Sequence, residues 1–202
     1  MNNRQKRGII MTILGLAMVL ASMGMHLTRE RQDVLAGENT QILLQQMELN
    51  KTVSAALPDL TVPNENTSVS AVMPEKEYLG YSMIGTLRIS SVGIELPIMS
   101  SWSYELLDVA PCRYSGSVLT ENMILMGHNY TSHFMPLHDV KIGDLVEFED
   151  VNGVVYRYKV SKLESLHRSN IDKLEDDFPL TLFTCTLGGI NRVVIRCENT
   201  DN

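Results

Sequence analysis

The stretch Leu182-Phe183-Thr184-Cys185-Thr186, followed by Arg192-Val193-Val194-Ile195, decides how this chain is read. An apolar run with strand character ends in a cysteine. An arginine opens a second such run seven residues later. Side chains alternate faces along a strand, so Phe183 and Cys185 share one face and Leu182 and Thr184 the other. The connection through Gly188-Gly189 is short enough for the two runs to pair. Upstream, Ile124-Leu125-Met126-Gly127-His128-Asn129 ends a third apolar run in a histidine. A cysteine, a histidine and an arginine at strand ends can supply a nucleophile, an acid or base, and an oxyanion donor. A free thiol with a pKa near ~8.5 is only a few per cent thiolate at neutral pH, so such chemistry needs a cation nearby.

Each residue also has a plainer reading. A lone cysteine is usually a small buried hydrophobe, and Cys112 and Cys197 are read so, or as a pair with each other. Three cysteines leave at least one thiol unpaired, and the absence of Cys-x-x-Cys argues against a zinc ribbon or a thioredoxin-type site. A lone histidine is more often structural, but strand ends are where site residues collect. His133 and His138 compete with His128. Their i, i+5, i+10 spacing fits neither one helical face nor the usual ligand pairs, so no metal or cofactor is implied. Arg192 and Arg196 share a strand face, and the plain reading is two solvated arginines. Arg192 lies nearer the cysteine end.

Between residues 78 and 199 the pattern is one of short strands. Ile84–Ser90 and Ile94–Met99 flank the turn signal Ser91-Val92-Gly93, and Met123–Gly127 is a near-continuous apolar run. Leu145–Glu149 and Val154–Ser161 bracket Asp150-Val151-Asn152-Gly153, where Asn-Gly favours a hairpin. Leu180–Thr184 and Arg192–Glu198 are the last two strands. Trp102–Val109 and Phe134–Val140 are expected as short helical turns. Leu163–Pro179 is expected as a long loop with one helical turn, capped by Ser169 or Asn170. Seven or eight short strands with few long helices indicate a closed barrel or a sandwich.

The N-terminal region is of another kind. Gly8–Leu27 holds no Asp, Glu, Lys or Arg over 20 residues, a length that crosses a bilayer core as a helix. Arg4, Lys6 and Arg7 precede it, placing residues 1–7 in the cytoplasm and the rest outside. A cleaved signal peptide is the rival, but Ser22-Met23-Gly24 is a poor cleavage site and the apolar stretch is long. Residues 28–77 are read as a juxtamembrane helix, with Leu35, Ile42, Leu43, Met47 and Leu49 as a loose stripe, then a linker with Pro58, Pro63 and Pro74. All 24 acidic residues and 14 of the 17 basic ones lie beyond Leu27, so the outer part is acidic and carries no footprint for nucleic acid.

These motifs resemble the sortases, the cysteine transpeptidases of Gram-positive cell surfaces. The resemblance runs from about Tyr78 to Glu198. It rests on Ile84-Gly85-Thr86-Leu87-Arg88-Ile89 with Leu96-Pro97-Ile98, on Gly127-His128-Asn129, on Thr181-Leu182-Phe183-Thr184-Cys185, and on Arg192 opening the last strand. It implies an eight-stranded sortase-type β-barrel, mostly β with short helices, behind a transmembrane helix. It also implies Cys185 as nucleophile, His128 as acid and base, and Arg192 as oxyanion donor with the Thr186 N–H. Thr184 would hydrogen-bond the substrate, and Leu166, Ile171 and Leu174 would line a pocket for its apolar residues. The implied reaction cuts an LPxTG-like sorting signal at Thr–Gly and transfers a secreted protein to an amine of a peptidoglycan precursor. Pro58-Asp59-Leu60 reverses the lid motif of pilus-building sortases, and the chain ends soon after the last strand; both points argue against a typical pilus-building class C member, and a class B or D-like one is the expectation. The run Glu175-Asp176-Asp177 is too short to imply a calcium site. Other readings are an inactive peptide-binding barrel and a thiol hydrolase.

Overall fold

The computed structural model describes residues 3–56, 73–175, 177–186 and 188–200. Among the described residues, nine strands follow one long helix, α1 (Asn3–Ala56). They are β1 (Lys76–Tyr78), β2 (Tyr81–Ile89), β3 (Ile94–Met99), β4 (Cys112–Ser115), β5 (Met123–Met126), β6 (Leu145–Asp150), β7 (Val155–His167), β8 (Leu180–Cys185) and β9 (Asn191–Asn199). A single turn of helix, α2 (Tyr104–Leu107), joins β3 to β4.

The sheet runs β1-β2-β3-β4-β5-β8-β9-β7-β6, and β6 pairs back onto β2. Strands β2 to β9 thus close into an eight-stranded barrel, with β1 as an added edge on β2. Closure removes the exposed edges that an open sheet of this length would carry. Closure also explains Gly85, where β2 is squeezed between β3 and β6. A Cβ there would lie 2.1 Å from the Glu149 carbonyl oxygen. Inside the barrel, Ile84, Leu87, Phe148, Leu182, Ile195 and Cys197 are buried in one cluster.

Three expectations are corrected. β7 runs to His167, not Ser161, because Leu163 to His167 pair with Ile195 to Asn191 of β9. The loop therefore starts at Arg168, with a 3₁₀ turn at Ile171–Leu174 whose N-cap Asn170 makes no side-chain bond. The strand β4 is added to those read from sequence; its four residues are fixed by pairing with β5, which local pattern does not show. Cys112, Cys185 and Cys197 are all free thiols, and burial pushes Cys112 and Cys197 up to about 12.

α1 is one continuous helix that runs through the apolar stretch and on through the region read as a juxtamembrane helix. Its N-terminal part is long and apolar enough to cross a membrane by length and composition, with none of that stretch packed inside the protein. Beyond it, Ala36, Thr40, Leu43 and Met47 are buried at a spacing of three and four, which keeps them on one face. Leu43 and Met47 pack with Tyr78, Met83, Met99 and Leu107 on the outside of the barrel. Burying each contributes about 1.5–3 kcal/mol. Leu35, Ile42 and Leu49, part of the loose stripe read from sequence, stay more than half exposed. Small residues at positions 36 and 37 let the helix approach closely, which a search for large apolar residues misses. The expected linker falls mostly on residues 57–72, outside the described residues; residues 76–77 are already strand.

Candidate active site

Strand register brings the three chemically suggestive residues abreast. β5 and β8 are parallel neighbours with Met126 level with Phe183. His128 lies two residues past Met126, and Cys185 two past Phe183, so they leave the barrel rim side by side. β8 and β9 are antiparallel, with Cys185 directly opposite Arg192. β7 continues the row with Leu166 opposite Arg192. Residues paired across a ladder share a face and lie about 5 Å apart at Cα. In backbone register the row therefore reads His128, Cys185, Arg192, Leu166.

Local packing holds this rim in place. A Cβ at Gly127 would meet the Phe134 ring at 2.7 Å, so only glycine lets fully buried Phe134 fold back beneath the His128 loop. The Phe134 N–H donates to the His128 carbonyl at 3.1 Å. Thr184 is 1% exposed, and its hydroxyl donates to the Gly127 carbonyl at 2.9 Å. It thereby ties β8 to the end of β5 and does not face the cleft. The Thr186 N–H donates to Asn191 O at 3.0 Å, so that donor is committed to the β8–β9 hairpin.

Two groups missing from the sequence reading surround the histidine. His128 Nε2 lies 3.1 Å from Asp108 Oδ1, just past α2. The Tyr130 hydroxyl donates to the same carboxylate at 3.3 Å, and the Tyr130 ring sits 4.8 Å from the imidazole. Burial lowers the His128 pKa, against the opposing pull of Asp108. Nearby His133 is 1% exposed, and burial pushes it down to about 4, so it is neutral near pH 7. Asp108 precedes His128 by 20 residues, and no motif spacing points to it.

A cleft of about 680 Å³ opens at this rim. His128, Tyr130, Cys185, Thr186, Gly188 and Gly189 line one part of it, and His26, Arg29, Glu30 and Asp33 of α1 line another. Arg192 stands beside the cleft, with Nη1 donating to the carbonyls of Gly189 (3.2 Å) and Asn191 (3.3 Å). Below Cys185, the outer face of the barrel is apolar. Phe183, Val194, Ile124 and Leu174 form a buried cluster, with Leu166 packed against it. Leu174 is 1% exposed and supports this floor from beneath; the Ile171 side chain lies outside the described residues. Tyr114 meets Phe183 edge-on at 5.5 Å and stacks on Trp102 at 5.7 Å, extending the floor into an aromatic shelf.

Arg196 differs from the solvated arginine read from sequence. It is fully buried, donates to Leu174 O (2.8 Å), Thr181 Oγ1 (3.0 Å) and Lys173 O, and pairs with Glu164 at 3.3 Å. It clamps the 3₁₀ turn of the β7–β8 loop onto the barrel.

A closed barrel with cysteine, histidine and arginine abreast at one rim has the parts of a thiol acyl-transfer site. The comparisons with known proteins give the family and the fold. A family model described as the sortase domain matches residues 87–200. The chain belongs to the sortase family, whose members are cysteine transpeptidases. Among solved structures it is similar to sortase C from Clostridium perfringens, at 24% identity and TM-score 0.52, covering 82% of this chain and 91% of that one. It is similar to the Clostridium perfringens sortase D5 transpeptidase at 14% identity and TM-score 0.55, covering 82% and 98%. It is also similar to sortase A from Corynebacterium diphtheriae at 18% identity and TM-score 0.54, covering 89% and 96%. Three classes match almost equally, so what the likeness shows is the shared barrel. No curated protein matches the chain in sequence.

Proposed function

We propose that this protein is a membrane-anchored transpeptidase in which Cys185 attacks the Thr–Gly carbonyl of an LPxTG-like sorting signal. The observation that carries the reading is the cross-strand row in which Cys185 lies between His128 and Arg192. The Cys185 thiol gives its proton to His128 and its sulfur adds to the Thr carbonyl, while the Arg192 guanidinium, swung off its hairpin carbonyls, holds the developing oxyanion through its planar fork. The C–N bond breaks as His128 protonates the departing glycine amine. A thioester remains on Cys185. An acceptor amine, in this reading from a peptidoglycan precursor, gives a proton to His128 and attacks the thioester. A new amide forms, the C–S bond breaks, and His128 returns the proton to the departing sulfur, which restores the thiol. Leu166 and the Trp102–Tyr114 shelf offer apolar surface for the signal's Leu and Pro.

In this reading residues 1–7 are cytoplasmic and 8–27 span the membrane. Residues 28–77 connect it to the barrel of residues 78–199 outside the cell. The positive residues before the apolar stretch support that orientation. The test is incubation of the full chain with a library of sorting-signal peptides and mass spectrometry of the thiol. A peptide adduct on Cys185 that is resolved faster by added amine supports the reading. No adduct, or one also formed by Cys185→Ala, refutes it. Product formation indifferent to amine would make the protein a hydrolase.

A further inference from the structure

Asp33 of α1 grips the loop that follows His128. Its Oδ2 accepts from the Thr131 N–H and its Oδ1 from the Ser132 N–H, both at 3.0 Å. The Ser132 hydroxyl donates to Oδ1 at 2.7 Å, with the Asp33 carbonyl 3.0 Å away. These contacts span 98 and 99 residues of sequence. Helix and loop are pressed together here: a Cβ on Gly37, one turn further on, would lie 3.2 Å from the Ser132 Cβ. Ala36 and Thr40, both buried, continue the docked face.

The gripped segment begins directly after Tyr130. Tyr130 is the residue whose hydroxyl meets Asp108, and Asp108 is the carboxylate on His128 Nε2. The Asp108 side chain is 59% exposed. A solvent-exposed pair of this kind holds geometry weakly by itself. Two consecutive backbone N–H groups and a hydroxyl bound to one carboxylate are charge-assisted and fix backbone position. We infer that Asp33 is a positioning residue for His128, acting through Thr131, Ser132, Tyr130 and Asp108. α1 is then a working wall of the active site as well as a tether. Its residues His26, Arg29 and Glu30 already line the same cleft. The inference rests on the reading of His128 as the site's acid and base.

The test uses the full chain in detergent micelles or nanodiscs, as wild type, Asp33→Asn and Asp33→Ala. Alanine removes the whole grip. Asparagine keeps the shape and one acceptor oxygen, and serves if the alanine variant does not fold. The first readout is the His128 ring ¹⁵N signals, which need no substrate. They are expected to move in Asp33→Ala and to move less in Asp33→Asn. The second is turnover of a fluorogenic Leu-Pro-Glu-Thr-Gly peptide with a glycine amine as acceptor. A displaced general acid costs on the order of 10–10² in rate, so kcat is expected to fall by that factor while KM stays within about twofold. Combining Asp33→Ala with Tyr130→Phe should cost less than the product of the single losses, because both act through one relay. His128 signals that stay unmoved in a folded Asp33 variant overturn the inference whatever turnover does, and so do fully multiplicative losses. Turnover indifferent to Cys185→Ala would sink the catalytic reading instead, and is told apart on that ground.

Discussion

Replacing each arginine of β9 by lysine should give opposite signatures. The Arg196 guanidinium has no solvent exposure and meets the Lys173 and Leu174 carbonyls, Thr181 and Glu164, with the Phe178 ring 5.4 Å away. Lysine keeps the charge but offers a compact ammonium that cannot span the Lys173 and Leu174 carbonyls, Thr181 and Glu164 together. Leaving one or two buried acceptors unmet costs about 1–3 kcal/mol each, so Arg196→Lys should destabilise by about 2–4 kcal/mol. At roughly 2–4 °C per kcal/mol for a chain of 202 residues, the melting temperature should fall by about 10 °C. Arg192 is half-buried and, among the described residues, bonds to the hairpin carbonyls of Gly189 and Asn191, which water can also serve. Arg192→Lys should leave stability within about 0.5 kcal/mol. Its turnover should drop by on the order of 10²–10³, the usual loss of one oxyanion donor. The assay pairs thermal melting of the full chain with peptide turnover measured well below both melting points. Turnover of Arg196→Lys there should stay far above that of Arg192→Lys. If Arg196→Lys melted like wild type but lost more activity, the clamp and the register drawn from it would both be wrong.

His133 carries a pH dependence. Its pKa in the folded protein, about 4, lies below the ordinary value of 6.5, so the unfolded chain binds a proton that the folded one refuses. Its contribution is full above pH 6.5 and is lost as pH falls toward 4, on the order of 3 kcal/mol in all. Urea melts from pH 7 to 4 should show this loss, and His133→Phe should flatten it; equal slopes would contradict the burial argument. Gly127→Ala drives a methyl into the Phe134 ring, so it should cost about 1–3 kcal/mol by overpacking and displace the His128 loop. A melting curve and turnover both like wild type would refute the packing account. Protease added outside intact cells should remove the barrel while leaving the first residues protected; a protected barrel would reverse the orientation.

Much of this fold is written locally. The alternating and continuous apolar runs of β2, β3, β5, β8 and β9 are legible because burial on one or both faces forces those patterns wherever the strand pairs. His128, Cys185 and Arg192 stand out because each follows or opens such a run. What the chain does not display locally is illegible for a corresponding reason. β4 is four residues long and exists through its partner β5. The packed face of α1 uses Ala36, Gly37 and Thr40, which draw no attention in a search for large apolar side chains.

The sequence by itself determined that an apolar helix precedes a domain of short strands, and that a cysteine, a histidine and an arginine stand at strand ends; that the strands close into a barrel is decided by the pairing of β6 with β2. Those features depend on composition and on periods of two and of about four residues, which a single segment carries. Only the tertiary structure decided which groups serve them. It buried Arg196 as a clamp, committed the Thr184 hydroxyl to Gly127, and set Asp108 on His128. It also brought Asp33 of the long helix onto the loop that follows His128. Thr184 and Gly127 are 57 residues apart, and Ser132 and Asp33 are 99 apart. Contacts at such separations follow from closure of the barrel and docking of α1 against it, and no local pattern of residues encodes them.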